Sequence, residues 1–347
     1  MHAPLLIVAV LGAIVVALII APSRHQRKNL PRGGKKGGVC GGDLETGGDP
    51  RWRREMEFMC LLLKLAVLLL FGLSLQAQSI PAGPAQFIAS NDGEPITVFT
   101  YKPPTYRGGP LFVICHGVGR NAEEYRNFAI TLAERFGVIV AAPLFDRERY
   151  PSARYQRGGL LNAEGVVQPR EAWTYAAIPR IVAEVRAKEG AATLPYFLIG
   201  HSAGGQFLVR MAAFFPGETE RIVAANPGSH LFPMRDQNFG YGFGGLPAEL
   251  SDDEVIRRYL AAPLTIFLGT ADNTPENSFD DSPAGMRQGP NRLARGRACF
   301  AEAQRLARER GWAFNWRKVE TPGIGHAAAF MFAAKEAEDA IFGAAKK

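Results

Sequence analysis

The fold turns on Pro195-Tyr196-Phe197-Leu198-Ile199-Gly200-His201-Ser202-Ala203-Gly204-Gly205. The apolar run 196–199 has the length of a buried strand, and a second apolar run at 206–215 has helical spacing. Between them Ser202 is flanked by glycines two residues away on either side, Gly200 and Gly204. A serine at a strand-to-helix turn sits in a strained backbone conformation, and only small neighbours let the helix pass close to the strand. Its hydroxyl is then presented at the C-terminal edge of a sheet, beside the unpaired N–H groups of a helix N-terminus.

Working outward, strand-like runs at 96–101, 111–115, 138–142, 222–225, 264–269 and 313–319 alternate with helical patterns at 122–136, 173–188, 292–310 and 327–342. Strands separated by helices predict an α/β fold: a doubly wound, mostly parallel sheet with helices on both faces. The N-terminal edge pair could be antiparallel. With 47% hydrophobic residues, 38 Gly and 24 Pro, the sequence suits one large domain rich in tight turns, and no internal repeat is apparent. Two segments escape the alternation. Residues 147–170 are rich in Arg, Tyr and Gly, and residues 229–249 carry Phe232, Phe239, Tyr241 and Phe243 among glycines. The second is expected to form a small, loop-rich, movable cap over the site, spanning about 229–258.

A serine hydroxyl needs a base to take its proton and an acid to hold that base. His326 follows the turn Thr321-Pro322-Gly323-Ile324-Gly325 after the last strand and is the expected base. His230, within the cap, is its competitor. Asp272, in the loop after the strand at 264–269, is the expected acid, and the chain order Ser202, Asp272, His326 is that of hydrolases with this turn. Charge on a carbonyl oxygen would be met by the N–H of Ala203 and by that of Val118 or Gly119, in the loop His116-Gly117-Val118-Gly119. His116 is expected to tie that loop down by hydrogen bonding. His201 is expected to point away from the site and pack. No cluster of His, Asp or Glu has metal-ligand spacing, so no cofactor is expected.

His116-Gly117 after a strand, the Gly200–Gly205 turn, the late Asp272 and His326 together resemble the α/β-hydrolase superfamily over residues 96–342. Residues 115–128 are similar to its polyhydroxybutyrate depolymerase and feruloyl esterase branch. The resemblance implies a secreted serine esterase with Ser202 as nucleophile, His326 as base and Asp272 as orienting acid. Its substrate would be a small or oligomeric ester, since the Thr-rich linker and binding module common in polymer-degrading members are absent from the sequence. A polyester depolymerase, a serine peptidase or acyltransferase on the same scaffold, and a non-catalytic binding protein are the alternatives.

The first 78 residues read as a leader and residues 79–347 as the hydrolase-like domain. Residues 4–22 are uncharged and about long enough to cross a bilayer, residues 24–54 are basic and Gly-rich, and a second apolar run at 59–73 ends before Ala77, which would suit a signal peptidase. Export from a translation start at Met56 or Met59 is expected, with a membrane anchor at 4–22 as the alternative. From Ser79 onward 30 basic residues face 28 acidic ones, a net +2 against +7 for the whole chain, so no nucleic-acid partner is expected. Cys115 and Cys299 could pair or remain two buried thiols.

Overall fold

The computed structural model describes residues 79–275 and 279–343, and of the leader only residues 54, 56–62 and 64. The apolar stretch at 4–22 and the cleavage-like Ala77 lie outside the described residues, among which no helix is long and apolar enough to cross a membrane. The chain divides into two units between residues 70 and 71. The second unit carries the fold that follows.

Eight strands form one sheet: β1 (Gly83–Ala89), β2 (Ile96–Lys102), β3 (Leu111–Cys115), β4 (Ile139–Pro143), β5 (Tyr196–His201), β6 (Arg221–Ala225), β7 (Leu264–Gly269) and β8 (Arg317–Thr321). Their order across the sheet is β1-β2-β4-β3-β5-β6-β7-β8. β2 runs antiparallel to both β1 and β4, and every other pairing is parallel. Strands β3, β4, β5 and β7 are buried at every residue, which is why they read as unbroken apolar runs. Within them the side chains still alternate between two cores. Leu111, Val113 and Cys115 join one, and Phe112 and Ile114 join the other.

The first core is shared with α3 (Ala177–Glu189), α4 (Ala203–Phe214), α5 (Asp253–Ala261) and α6 (Arg292–Arg310). The second is shared with α1 (Ala122–Phe128), α2 (Ile130–Phe136), α7 (Ala328–Ala333) and α8 (Ala337–Phe342). Helix α3 buries the expected stripe of Ile178, Ile181, Val182 and Val185 and stops at Gly190, whose φ of 63° is the left-handed value that glycine adopts without penalty. Helix α4 is different. Eleven of its twelve residues are buried, so it lies inside the domain, between the sheet and the segments that follow β4 and β6.

Three expectations need correction. β1 was not expected, because its seven residues hold few large apolar side chains and a Pro that only an edge strand tolerates. The run 122–136 divides into α1 and α2, although the Ala129→Tyr125 and Ala133→Ala129 backbone bonds continue through the junction. The last helical run divides at Ala334, whose ψ of 146° is extended. The expected cap segment, residues 229–258, shares side chains with the first core. Leu231, Phe232 and Phe243 belong to the core, Phe243 and Phe239 pack edgewise or tilted on Phe214 of α4, and α5 is capped by Asp252, whose carboxylate accepts from the Val255 N–H at 2.9 Å.

Candidate active site

Strand β5 runs directly into α4 through Ser202, whose φ of 56° and ψ of −114° lie where non-glycine residues are strained. The strain is held by backbone bonds on both sides: the Ser202 N–H donates to Ala225 O at 2.9 Å, and the Gln206 N–H donates to Ser202 O at 3.0 Å. A Cβ on Gly204 would stand 2.1 Å from Cys115 O, and one on Gly200 would stand 2.5 Å from the Gly204 backbone. Both glycines are therefore steric necessities of the turn.

Two loops bring the remaining chemistry to this point. Asp272 follows β7 and His326 follows β8, and the strands' parallel pairing continues into the loops through Thr270 N–H to Thr321 O and Ala271 N–H to Ile324 O, each 3.0 Å. Asn226, after β6, clamps both: its amide donates to Gly325 O at 3.1 Å and its amide oxygen accepts from the Gly269 N–H at 2.8 Å. His326 Nε2 lies 2.9 Å from Ser202 Oγ, and Nδ1 lies 2.8 Å from Asp272 Oδ2. An ionised carboxylate can only accept, so Nδ1 carries the ring proton and Nε2 is left to accept from the serine hydroxyl. The structure thus brings Ser202, His326 and Asp272 into one hydrogen-bonded chain.

Asp272 is 2% exposed, and a carboxylate so buried needs further partners. Arg292, 1% exposed at the start of α6, donates from Nη1 to Asp272 Oδ1 at 3.3 Å. The sequence reading missed both Arg292 and Asn226. The only local signal for Arg292 is its place after Asn291, the N-cap of α6, and that gives no hint of where the guanidinium points.

The expected oxyanion donors occupy neighbouring ground. Cys115 pairs with Gly200 across β3 and β5, so the loop holding Val118 and Gly119 leaves the sheet beside the Ser202 turn. Among the described residues, the N–H groups of Ala203, Val118 and Gly119 donate to no protein acceptor. His116 ties this loop as expected: Nδ1–H donates to Gly117 O at 2.9 Å and Nε2 accepts from the Phe145 N–H at 3.1 Å. Burial lowers its pKa to about 4.

His201 does not point away from the site. Its ring centroid lies 4.6 Å from that of His326, and its Nδ1 is 3.0 Å from Tyr125 Oη. Burial, the neighbouring His326 and Arg292 all disfavour its charged form, so a neutral ring packs against the base. His230 is fully buried, and among the described residues neither of its ring nitrogens has a partner, so it reaches neither Ser202 nor Asp272.

The model of the alpha/beta hydrolase family matches residues 112–345. The chain belongs to the alpha/beta hydrolase family. Among solved structures this hydrolase is similar to poly(aspartic acid) hydrolase-1 from Sphingomonas sp. KT-1, with 33% identity, a TM-score of 0.69, and coverage of 73% of this chain and 96% of that one. It is similar too to a poly(3-hydroxybutyrate) depolymerase from Bordetella parapertussis, with 36% identity, a TM-score of 0.67, and coverage of 73% and 88%. No curated protein sequence matches it. These relatives group the alpha/beta hydrolase described above with hydrolases of the esterase and depolymerase type.

Proposed function

We propose that the chain is a serine carboxylic ester hydrolase working through an acyl-enzyme. The observation that supports this reading is the hydrogen-bonded chain from Ser202 through His326 to Asp272. In it, His326 Nε2 takes the proton as Ser202 Oγ attacks the ester carbonyl, and Asp272 stabilises the imidazolium that forms. The Ala203 N–H, with that of Val118 or Gly119, receives the oxyanion. Collapse of the tetrahedral adduct expels the alcohol, which takes its proton from His326. A water activated by the same nitrogen then releases the acid. Hydrolysis of a panel of 4-nitrophenyl esters of increasing chain length, each with a Ser202→Ala control, tests the reading; rates equal in the two proteins would sink it.

A polymeric ester is the second reading. It is favoured by the likeness to a poly(3-hydroxybutyrate) depolymerase, 36% identical over 73% of this chain. Export is proposed on the apolar run before Ala77, and mass spectrometry of protein from the source cell should find a mature chain beginning near Gln78 or Ser79.

A further inference from the structure

The loops at the C-terminal edge of the sheet enclose a cavity of about 360 Å³ lined by Ser152, Arg157, Gln206, Arg210, Ser229 and Tyr241, among others. Gln206 lies one turn beyond Ser202 on α4, so this wall begins roughly 6 Å along the helix from the nucleophile.

The cavity's surroundings carry more positive than negative charge. Arg210 is 1% exposed and donates to Gln206 O at 2.9 Å, to Ser229 Oγ at 3.0 Å and to Gly240 O, while its Nε–H has no acceptor. Behind the wall, fully buried Arg295 donates to the backbone oxygens of Gly289, Gly228 and Asp280. Arg157 lies over the Tyr241 ring with an exposed side chain. Among the described residues, none of these three arginines forms an ion pair. Asp280, a carboxylate on the wall, accepts from the Tyr241 hydroxyl at 2.7 Å and the Ser282 N–H at 3.2 Å and attracts Arg295, so three guanidinium groups stand against its single negative charge. Two guanidinium groups buried largely against carbonyl dipoles keep a positive potential beside the cavity that Asp280 offsets only in part.

We propose that this cavity binds a free carboxylate carried by the substrate, a few bonds from the ester that Ser202 attacks. Arg157 supplies the contacting guanidinium, and Arg210 and Arg295 supply the fixed charge behind it. A carboxylate fits better than a phosphate, because Asp280 on the same wall repels a dianion more strongly than a monoanion. The proposal rests on the ester hydrolase reading and refines its substrate class.

Two esters with the same six-carbon acyl chain test it: 4-nitrophenyl hexanoate and the mono-4-nitrophenyl ester of adipic acid. The wild-type protein should favour the charged ester in kcat/KM by about tenfold or more, and Arg157→Gln should bring that ratio near unity, with Arg157→Lys in between. Salt at about 0.5 M should shrink the ratio. A wild-type ratio at or below one, or a ratio unmoved by Arg157→Gln, overturns the proposal. Calorimetric titration of Ser202→Ala with monomethyl adipate, methyl hexanoate and inorganic phosphate is independent of turnover. Tighter binding of the adipate ester that weakens on adding Arg157→Gln supports the subsite even if neither ester is hydrolysed, and in that case the hydrolase reading alone fails. Equal binding of the two methyl esters, or preferential binding of phosphate, overturns the carboxylate assignment.

Discussion

His326 Nδ1 and Asp272 Oδ2 lie 2.8 Å apart although 54 residues separate them in the chain. The contact exists because β7 and β8 are parallel neighbours whose pairing continues into the loops beyond them. Because one imidazole touches both Ser202 and Asp272, the three side chains should act as a unit. Ser202→Ala and His326→Ala are each expected to lower kcat by several orders of magnitude, with the double variant hardly worse than either single. Steady-state kinetics on one soluble ester decide this. Additive losses would mean that the residues act separately.

Arg292 and Asp272 are the most deeply buried ion pair at the site, at 1% and 2% side-chain exposure. Removing one partner leaves the other charged and enclosed. Arg292→Met is therefore expected to destabilise the fold by about 3–5 kcal/mol and to lower kcat with little change in KM. Chemical denaturation alongside kinetics checks both, and a variant of native stability and full activity would show that Asp272 is held by other means.

Acid should weaken the fold through its buried neutral histidines. Burial lowers the pKa of His116 to about 4 and that of His230 to about 3, against an ordinary value near 6.5 in the unfolded chain. Between about pH 6.5 and 4 the unfolded chain takes protons that the folded one refuses. Stability is thus highest above this window and falls as pH falls through it, by up to about 1.4 kcal/mol per pH unit for each histidine. His230 makes no side-chain hydrogen bond among the described residues, so His230→Phe removes a titrating group without removing a bond. Its melting temperature should fall less steeply with acid than the wild type's; parallel curves would refute the assignment.

Cys115 and Cys299 are both buried and unpaired, and burial pushes both thiols well above the ordinary range. Neither should react with a thiol reagent such as DTNB until the domain unfolds, because the thiolate is the reacting form. Stoichiometric labelling of both in the native protein at neutral pH would contradict this.

The sequence by itself determined the turn at Ser202, the alternation of strands and helices, and the identities of Asp272 and His326. Each of these is a local matter. A glycine two residues on either side of a serine, an apolar run of strand length and a histidine after a terminal strand are all visible within about ten residues, because backbone sterics and burial periodicity act over that range. What only the tertiary structure decided was which groups surround that chemistry. Arg292 holds Asp272 and Asn226 holds the loop of His326 from distant positions, and His201 turns its ring toward His326 although the strand's alternation gives no reason to expect it. Within residues 229–258 the tertiary structure decided which rings are covered, placing Phe232 and Phe243 in the core, since glycine and aromatic content does not record what covers them. Arg210, read in sequence, is an ordinary polar position on a helix. It became a buried cation with no ion pair among the described residues only when α4 was enclosed, and that enclosure is a property of the assembled sheet and its loops.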